Sequence, residues 1–458
     1  MTGLGNRAAF VGRRRVLVGV AGVGSTSGVL AAACAIGRGA AGTPGAGGTL
    51  KVGTRLEVIA WGGPPAQDVR AQLLERFAQQ YPGLSGGYSE PGTYFEKLDA
   101  MLTAGTPPDV FFMNPYFFKS YVLRRAALNL GPLIQRDRVD VSDFYPVARG
   151  LFTHRNDLWG MPLHFNGINL AFNKQAFDSI ALGYPSQDLT KRVWTFDEHL
   201  DACRRLTRRE GDEVKQWGTS VNTAFQWYLS FVYANGGDLV NREQTICTLD
   251  EPPAVEALQY LQDLVHRHRV AAITSHLSEL GLNLLTGFTS GRTAMFWPSG
   301  APQFGQIRPV APFAWDVGIL PVARGKPATG MGAPGYMVAK DTKAPDEAWV
   351  LSAWLTSKEA QVAEVQAGTI TPSRKSVAFS PEFLDQRPPD NVKVVSETLE
   401  TIKLPPQLAN WQEFQDALTR EMAPLWTGSK TAREAALATK QQLDPLLREA
   451  RRLEDAVK

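Results

Sequence analysis

The run Leu56-Glu57-Val58-Ile59-Ala60-Trp61-Gly62-Gly63-Pro64-Pro65 decides the fold class. Apolar residues alternate with others up to Trp61, as in a strand with one buried face, and the Gly-Gly-Pro-Pro that follows breaks it. With Thr49-Leu50-Lys51-Val52-Gly53 just before, this reads as an opening strand region. Over Ala66–Tyr81 the period changes: Val69, Leu73, Leu74 and Phe77 fall at helical spacing, and Pro82-Gly83 stops the helix. Tyr94–Ala104 repeats the helical pattern through Phe95, Leu98 and Leu102, and Asp109–Met113 is again a short apolar strand. Strands alternating with helices in this order predict an α/β protein with a mainly parallel sheet.

The same reading runs on to the C-terminus. Thr195 and Glu198 have capping-box spacing at the start of a helix. Helices are predicted over Phe225–Tyr233, Pro253–His268, Leu280–Gly287, Pro345–Thr356 and Lys358–Gln366, with strands at Thr293–Trp297, Trp315–Pro321 and Met337–Ala339. About 410 residues beyond the N-terminal segment is too much for one core, so two domains are expected.

That N-terminal segment points outside the cytoplasm. Arg13-Arg14-Arg15 precedes an apolar run from Val16 to Ala33, which ends in small residues before Cys34. A basic stretch, a modest apolar stretch and a small-residue cut site read as an export signal over residues 1–34. The paired arginines resemble the twin-arginine pattern, and Cys34 resembles a lipoprotein cleavage site whose cysteine carries acyl chains. A transmembrane anchor is the alternative, against which stand the many Gly, Ser and Thr residues between Gly19 and Gly28. Residues 35–48, rich in Gly and Ala, read as a tether.

Composition excludes several classes. A net charge of +3 over 458 residues does not support a nucleic-acid partner or an anionic membrane surface. Beyond the signal only Cys203 and Cys247 remain, as one disulfide or two buried thiols. No G-x-S-x-G elbow or H-E-x-x-H is present, and Gly428-Ser429-Lys430-Thr431 lacks the first glycine of a phosphate loop and reads as a helix end and cap. His266 and His268, two residues apart on a helix, point to different faces and read as surface. No cofactor or metal is implied, and export without a catalytic motif favours binding over catalysis.

An ordered set of segments then resembles one family. These are Phe77-Ala78-Gln79-Gln80-Tyr81-Pro82-Gly83, Thr106-Pro107-Pro108-Asp109-Val110, Trp159-Gly160-Met161-Pro162, Phe172-Asn173-Lys174, Trp194-Thr195-Phe196-Asp197-Glu198 and Ala234-Asn235-Gly236-Gly237. They continue with Gly291-Arg292-Thr293-Ala294-Met295, Gly318-Ile319-Leu320-Pro321 and Thr371-Pro372-Ser373-Arg374. In this order they resemble the extracellular solute-binding proteins of ABC importers, in the sugar-binding branch that includes maltose-binding protein. The resemblance implies a two-lobed periplasmic-binding-protein fold (type II) with a hinge of several chain crossings. It places lobe one at 49–163 and 334–370, and lobe two at 164–333 and 371–458. It implies a sugar or oligosaccharide in the cleft, delivery to the transmembrane subunits of an ABC permease, a monomer, and no contact with the membrane beyond the lipid anchor. The alternatives are a glycerol-phosphate diester, a uronate or a polyamine on the same fold, or a secreted glycoside hydrolase built on two carboxylates.

Sugars present apolar faces and a rim of hydroxyls, so their sites combine aromatic platforms with groups that donate and accept hydrogen bonds. Trp61 ends the first strand beside two glycines. Asn114 and Tyr116 follow the strand Asp109–Met113, where open α/β sheets bind ligands. His164 and Asn166 fall at the expected first crossing, Asn166 matching a ligand-contacting position of the family. Gln226 and Trp227 lie near a helix start. Trp297 and Ser299, beside Pro298 and Gly300, read as a ring that is hard to bury and well placed to stack. Gly332 marks the second crossing. Arg374 marks the third, as a ligand group or a hinge salt bridge. Trp411 is a further platform candidate. Each aromatic has core packing as its alternative, and Asn166 a turn.

Overall fold

The computed structural model describes residues 44–457 apart from 46, 325–326, 331 and 404–405, all within the unit Arg38–Lys458. The export signal and Cys34 lie outside the described residues. Two sheets organise the chain. The first has five strands in the order Leu84–Ser89, Thr54–Ile59, Val110–Met113, Gly335–Val338 and Gly160–Pro162. The second sets Leu170–Asn173 between Met295–Phe296 and Trp315–Gly318.

The expectation of a mainly parallel sheet holds for the larger sheet and is corrected for the smaller one. Four of the five strands of the larger sheet run in one sense: the first three pair in parallel, and Gly160–Pro162 points the same way beyond Gly335–Val338. Gly335–Val338 is antiparallel to both its neighbours, and the smaller sheet is wholly antiparallel. The reason is connectivity: Gly160–Pro162 leaves the first sheet where Gly335–Val338 enters it, so the two run in opposite senses. Their approach is close. A Cβ on Gly335 would stand 2.3 Å from the Met161 carbonyl oxygen, which leaves room only for glycine.

Helices form where the periodicity predicted them. Pro64–Gln80 buries Val69, Leu73, Leu74 and Phe77. Phe196–Leu206 starts with the reciprocal Thr195–Glu198 capping box. Gly428 to Thr431 ends the helix Trp411–Trp426 and caps Ala432–Asp455 through Thr431 and Glu434. Leu280–Gly287 is not one helix. Two short helices, Thr274–Ser278 and Leu284–Thr289, meet there, because Asn283 forms a capping box with Thr286 and starts a new helix. Leu84–Ser89 is a strand that the sequence reading missed. Cys203 and Cys247 are buried free thiols.

Three segments cross side by side between the sheets. Leu163 N donates to Pro334 O (3.0 Å), Phe165 N to Thr371 O (2.9 Å) and Asn166 N to Gly332 O (3.2 Å). Ser373 Oγ lies 2.9 Å from Pro162 O and 3.0 Å from Leu163 O. After the third crossing the chain stays against the first half for a while: Lys375 N donates to Asp143 O, and Tyr145 N to Ser373 O. Farther on, Asn391 N donates to Asp316 Oδ1 of the smaller sheet.

The core divides into two hydrophobic clusters, and strand alternation explains how. Leu170, Phe172, Met295 and Trp297 point into one. Their neighbours Ala171 and Phe296 point into the other, with Phe77, Phe111 and Trp349.

Candidate functional site

Beside the crossings lies a cavity of about 290 Å³. The end of the first strand supplies Trp61 and Gly62. The helix after it supplies Arg70, and the strand Val110–Met113 supplies Phe112. His164 and Asn166 come from the first crossing. Ser299, Pro302, Gly305 and Gln306 close it from the smaller sheet's side, and Ala367, Gly368 and Thr369 from the loop after the helix Lys358–Gln366.

One wall is aromatic. The half-buried Trp61 ring sits 4.5 Å from Phe112 and edge-on to Tyr94 at 4.7 Å. His164 stacks on Phe112 at 6.0 Å with 15° between the planes. Burial, and then the Arg70 charge, push the His164 imidazole down to about 3, so it is neutral at neutral pH. Two polar atoms on this lining have no protein partner, His164 Nδ1 and Asn166 Oδ1. Buried polar atoms are normally hydrogen-bonded, and the Asn166 side chain is near enough to the imidazole to act against the lowering of its pKa. Gly300, at φ 73°, turns the opposite wall: a Cβ there would stand 2.5 Å from Thr371 Oγ1 and 3.5 Å from Asn166 Oδ1.

Four expected residues, Trp61, His164, Asn166 and Ser299, therefore line one cavity. The others lie elsewhere. Asn114 caps the helix Pro115–Leu123 by accepting from Tyr116 N. Tyr116 is buried in the second core, stacked on Trp411 at 4.9 Å and packed on Phe225. Trp411 is itself wholly buried, its Nε1 donating to Gln415 Oε1. Trp297 is 1% exposed, with its ring 4.4 Å from Phe231, because its strand parity matches that of Met295 and sends it inward. The expectation that Pro298 and Gly300 keep it exposed is corrected. Trp227 Nε1 donates to Trp297 O, and Gln226 O accepts from Ser230 Oγ; neither residue lines the cavity. Gly332 packs against Pro115, which a Cβ would meet at 2.7 Å. Arg374 is the salt bridge: it pairs with Asp143 at 3.3 Å, lies over the Phe144 ring at 4.0 Å and donates to Thr356 O. His266 is exposed, as read, and its Nε2 lies 3.0 Å from Trp426 O.

The sequence reading missed Arg70, Phe112 and the loop Ala367–Thr369. Phe112 had a signal, as a large apolar residue next to last in a strand that ends at the same edge as Trp61. Arg70 and Thr369 had none, because only folding brings them together.

A larger cavity, about 460 Å³, lies among Trp217, His276, Arg209, Arg269 and Arg292. It holds none of the expected residues, and Asp212, Glu213 and Glu279 offset its arginines. Among the described residues no group of His, Cys, Asp and Glu is placed to hold a metal ion, and no helix is long and apolar enough to cross a membrane.

A sequence profile of the bacterial extracellular solute-binding proteins matches residues 64–362. The chain belongs to that family. Among curated relatives of this solute-binding protein, an arabinooligosaccharide-binding protein of Halalkalibacterium halodurans is 24% identical over 222 residues. That alignment spans 46% of each protein, so the chain covers less than half of the relative's length. Among solved structures, an ABC substrate-binding protein from Listeria monocytogenes in complex with cycloalternan superposes with TM-score 0.76 at 25% identity, over 85% of this chain and 98% of that one. The GacH receptor of Streptomyces glaucescens, solved unliganded and with acarbose, superposes with TM-score 0.74 at 19% identity, over 87% and 100%. The solute-binding protein thus has the type II two-lobed architecture of these relatives.

Proposed function

We propose that this protein captures a sugar or oligosaccharide in the cavity beside the crossings and hands it to the transmembrane subunits of an ABC importer outside the cytoplasm. The carrying observation is the pairing of the half-buried Trp61 ring, backed by the buried Phe112, with the polar side chains of His164 and Asn166 on the same lining. A ring face and a hydroxyl rim need that combination. The cavity is lined by no Asp or Glu among the described residues, which speaks against paired carboxylates for glycoside hydrolysis and against a polyamine. Relatives that bind arabinooligosaccharide, cycloalternan and acarbose support the ligand class.

On this reading lobe one comprises 49–163 and 334–370, and residues 373–376 stay with it through their bonds to 143–145. Lobe two comprises 164–333 and the remainder of the C-terminal part. Trp61, His164, Asn166 and Ser299 contact the ligand, and Cys34 carries the acyl anchor. The lobes close by hinge motion at the three crossings. Titration calorimetry against a panel of neutral oligosaccharides tests the assignment. The expected outcome is saturable binding without consumption of the sugar. Loss of at least about tenfold in affinity is expected for Trp61→Ala, the size of one lost aromatic stack. Turnover of the sugar, or unaltered affinity in Trp61→Ala, refutes it.

A further inference from the structure

Two features of the cavity would ordinarily recruit an anion. Arg70 is a cationic lining residue, with its guanidinium 5.1 Å from the Phe112 ring centroid and Nη1 donating to Trp61 O at 2.5 Å. The second is the N-terminus of the 17-residue helix Pro64–Gln80, which starts at the cavity's edge beside Gly62 and Gly63. Pro64 and Pro65 carry no N–H, so what this terminus offers a negative charge is the helix dipole and the N–H groups of Gly62 and Gly63 just before it.

Each feature is already taken by a carboxylate of the chain itself. Glu364 Oε1 accepts from Arg70 Nε at 2.9 Å, and the two side chains are 1% and 4% exposed. Burial is the largest influence on the Arg70 pKa and lowers it, but Glu364, Tyr336 and Tyr88 together raise it above the ordinary value, so Arg70 stays charged against Glu364. The other Glu364 oxygen accepts from Thr369 Oγ1, which ties the pair to the loop that closes the cavity. Glu90 Oε1 accepts from Gly62 N at 3.0 Å and Gly63 N at 3.1 Å, and Gln67 Nε2 donates to its other oxygen at 2.9 Å. Burial disfavours the Glu90 charge, yet these bonds hold its pKa below the ordinary glutamate value.

We propose that Glu364 and Glu90 form a charge filter that makes the cleft select uncharged solutes, each neutralising from behind the lining a positive group with which a ligand's carboxylate or phosphate would otherwise pair. This deepens the carbohydrate reading of the cavity and rests on it. The filter bars uronates and phosphate esters, not because cationic groups are absent but because each is internally neutralised. Arg70 is a positioning residue: it holds the Trp61 carbonyl and presents no free charge to the ligand.

Removing one carboxylate should open the filter. Glu364→Gln keeps the shape and the acceptor for Arg70 Nε but leaves the guanidinium uncompensated. Glu90→Gln keeps an acceptor for Gly62 N and removes the fence at the helix end. Calorimetry of the full chain would use maltotriose, arabinotriose and cycloalternan as neutral probes, with trigalacturonate and glycerol 3-phosphate as anions. Wild type should bind at least one neutral probe and neither anion. Glu364→Gln should shift the anion-to-neutral affinity ratio by at least about tenfold, ~1.4 kcal/mol. Glu90→Gln should move it the same way by less. A purely structural role would lower both affinities together. Wild-type binding of an anion as tight as that of any neutral probe overturns the proposal. So does an unchanged ratio in both variants with neutral binding intact. Should Glu364→Gln fail to fold, the half-buried Glu90→Gln decides alone. Failure of every neutral probe to bind wild type refutes the carbohydrate reading, and the filter with it.

Discussion

Replacing Trp297 separates core from site. Its ring is 1% exposed, packs 4.4 Å from Phe231 and 6.4 Å from His199, and stands in the second core. An indole buries about 200 Å², which at about 25 cal/mol per Å² is worth ~5 kcal/mol. Alanine recovers part of this through its methyl group, so Trp297→Ala should cost about 3–5 kcal/mol of stability, the range for Trp-to-Ala in cores. The backbone bond from Trp227 Nε1 to Trp297 O survives the change, so the cost isolates the ring. Trp297 Nε1 has no partner, and a buried orphan donor costs about 1–3 kcal/mol. Trp297→Phe removes that donor along with part of the ring, so it should cost well under half as much as the alanine variant. Urea unfolding followed by circular dichroism measures both, and calorimetry at a temperature where the variants are folded measures sugar affinity. Affinity within about threefold of wild type is expected, a change under 1 kcal/mol. A tenfold affinity loss in Trp297→Ala with less than about 1 kcal/mol of destabilisation would refute the reasoning and return the ring to the ligand site.

Breaking the buried Arg70–Glu364 pair by Glu364→Ala should cost about 3–5 kcal/mol, whereas Arg70→Met with Glu364→Met should cost markedly less; equal costs in thermal unfolding would contradict this. His164 has its folded pKa lowered to about 3 from 6.5, so the fold holds it neutral while the unfolded chain takes up a proton below pH 6.5. Its contribution to stability is therefore complete above pH 6.5 and falls as the pH drops towards 3, and sugar affinity should stay flat from pH 8 to pH 5. An affinity midpoint near pH 6.5 that disappears in His164→Gln would count against a neutral imidazole. Gly335→Ala places a methyl 2.3 Å from the Met161 carbonyl oxygen, a backbone atom that cannot rotate away. Its soluble yield and melting temperature should fall far more than those of Gly92→Ala, where nothing lies within 4 Å of the added carbon.

The helices were legible where one face is continuously apolar and the cap is local. Val69, Leu73, Leu74 and Phe77 marked Pro64–Gln80, and Thr195 with Glu198 marked the start of Phe196–Leu206. Leu84–Ser89 was not legible, because Gly86 and Gly87 erase the alternation, and the segment is a strand by virtue of its parallel pairing with Thr54–Ile59. Asn283 was overlooked because its capping box uses Thr rather than Glu as the returning group. Within the site, Trp61, His164, Asn166 and Ser299 carried signals at strand ends and crossings. At Trp297 the neighbouring Pro298 and Gly300 signal exposure, whereas parity with Met295 buries the ring.

Most of the helices and the Thr195 and Thr431 caps are local matters, written in residues within a few positions of one another, and these the sequence alone determined. Which rings face the cleft, which thiols stay unpaired and whether Arg70 carries a free charge were decided only by the tertiary structure. Arg70 and Glu364 stand 294 positions apart, and no pattern of neighbouring residues can report a charge neutralised from that distance along the chain.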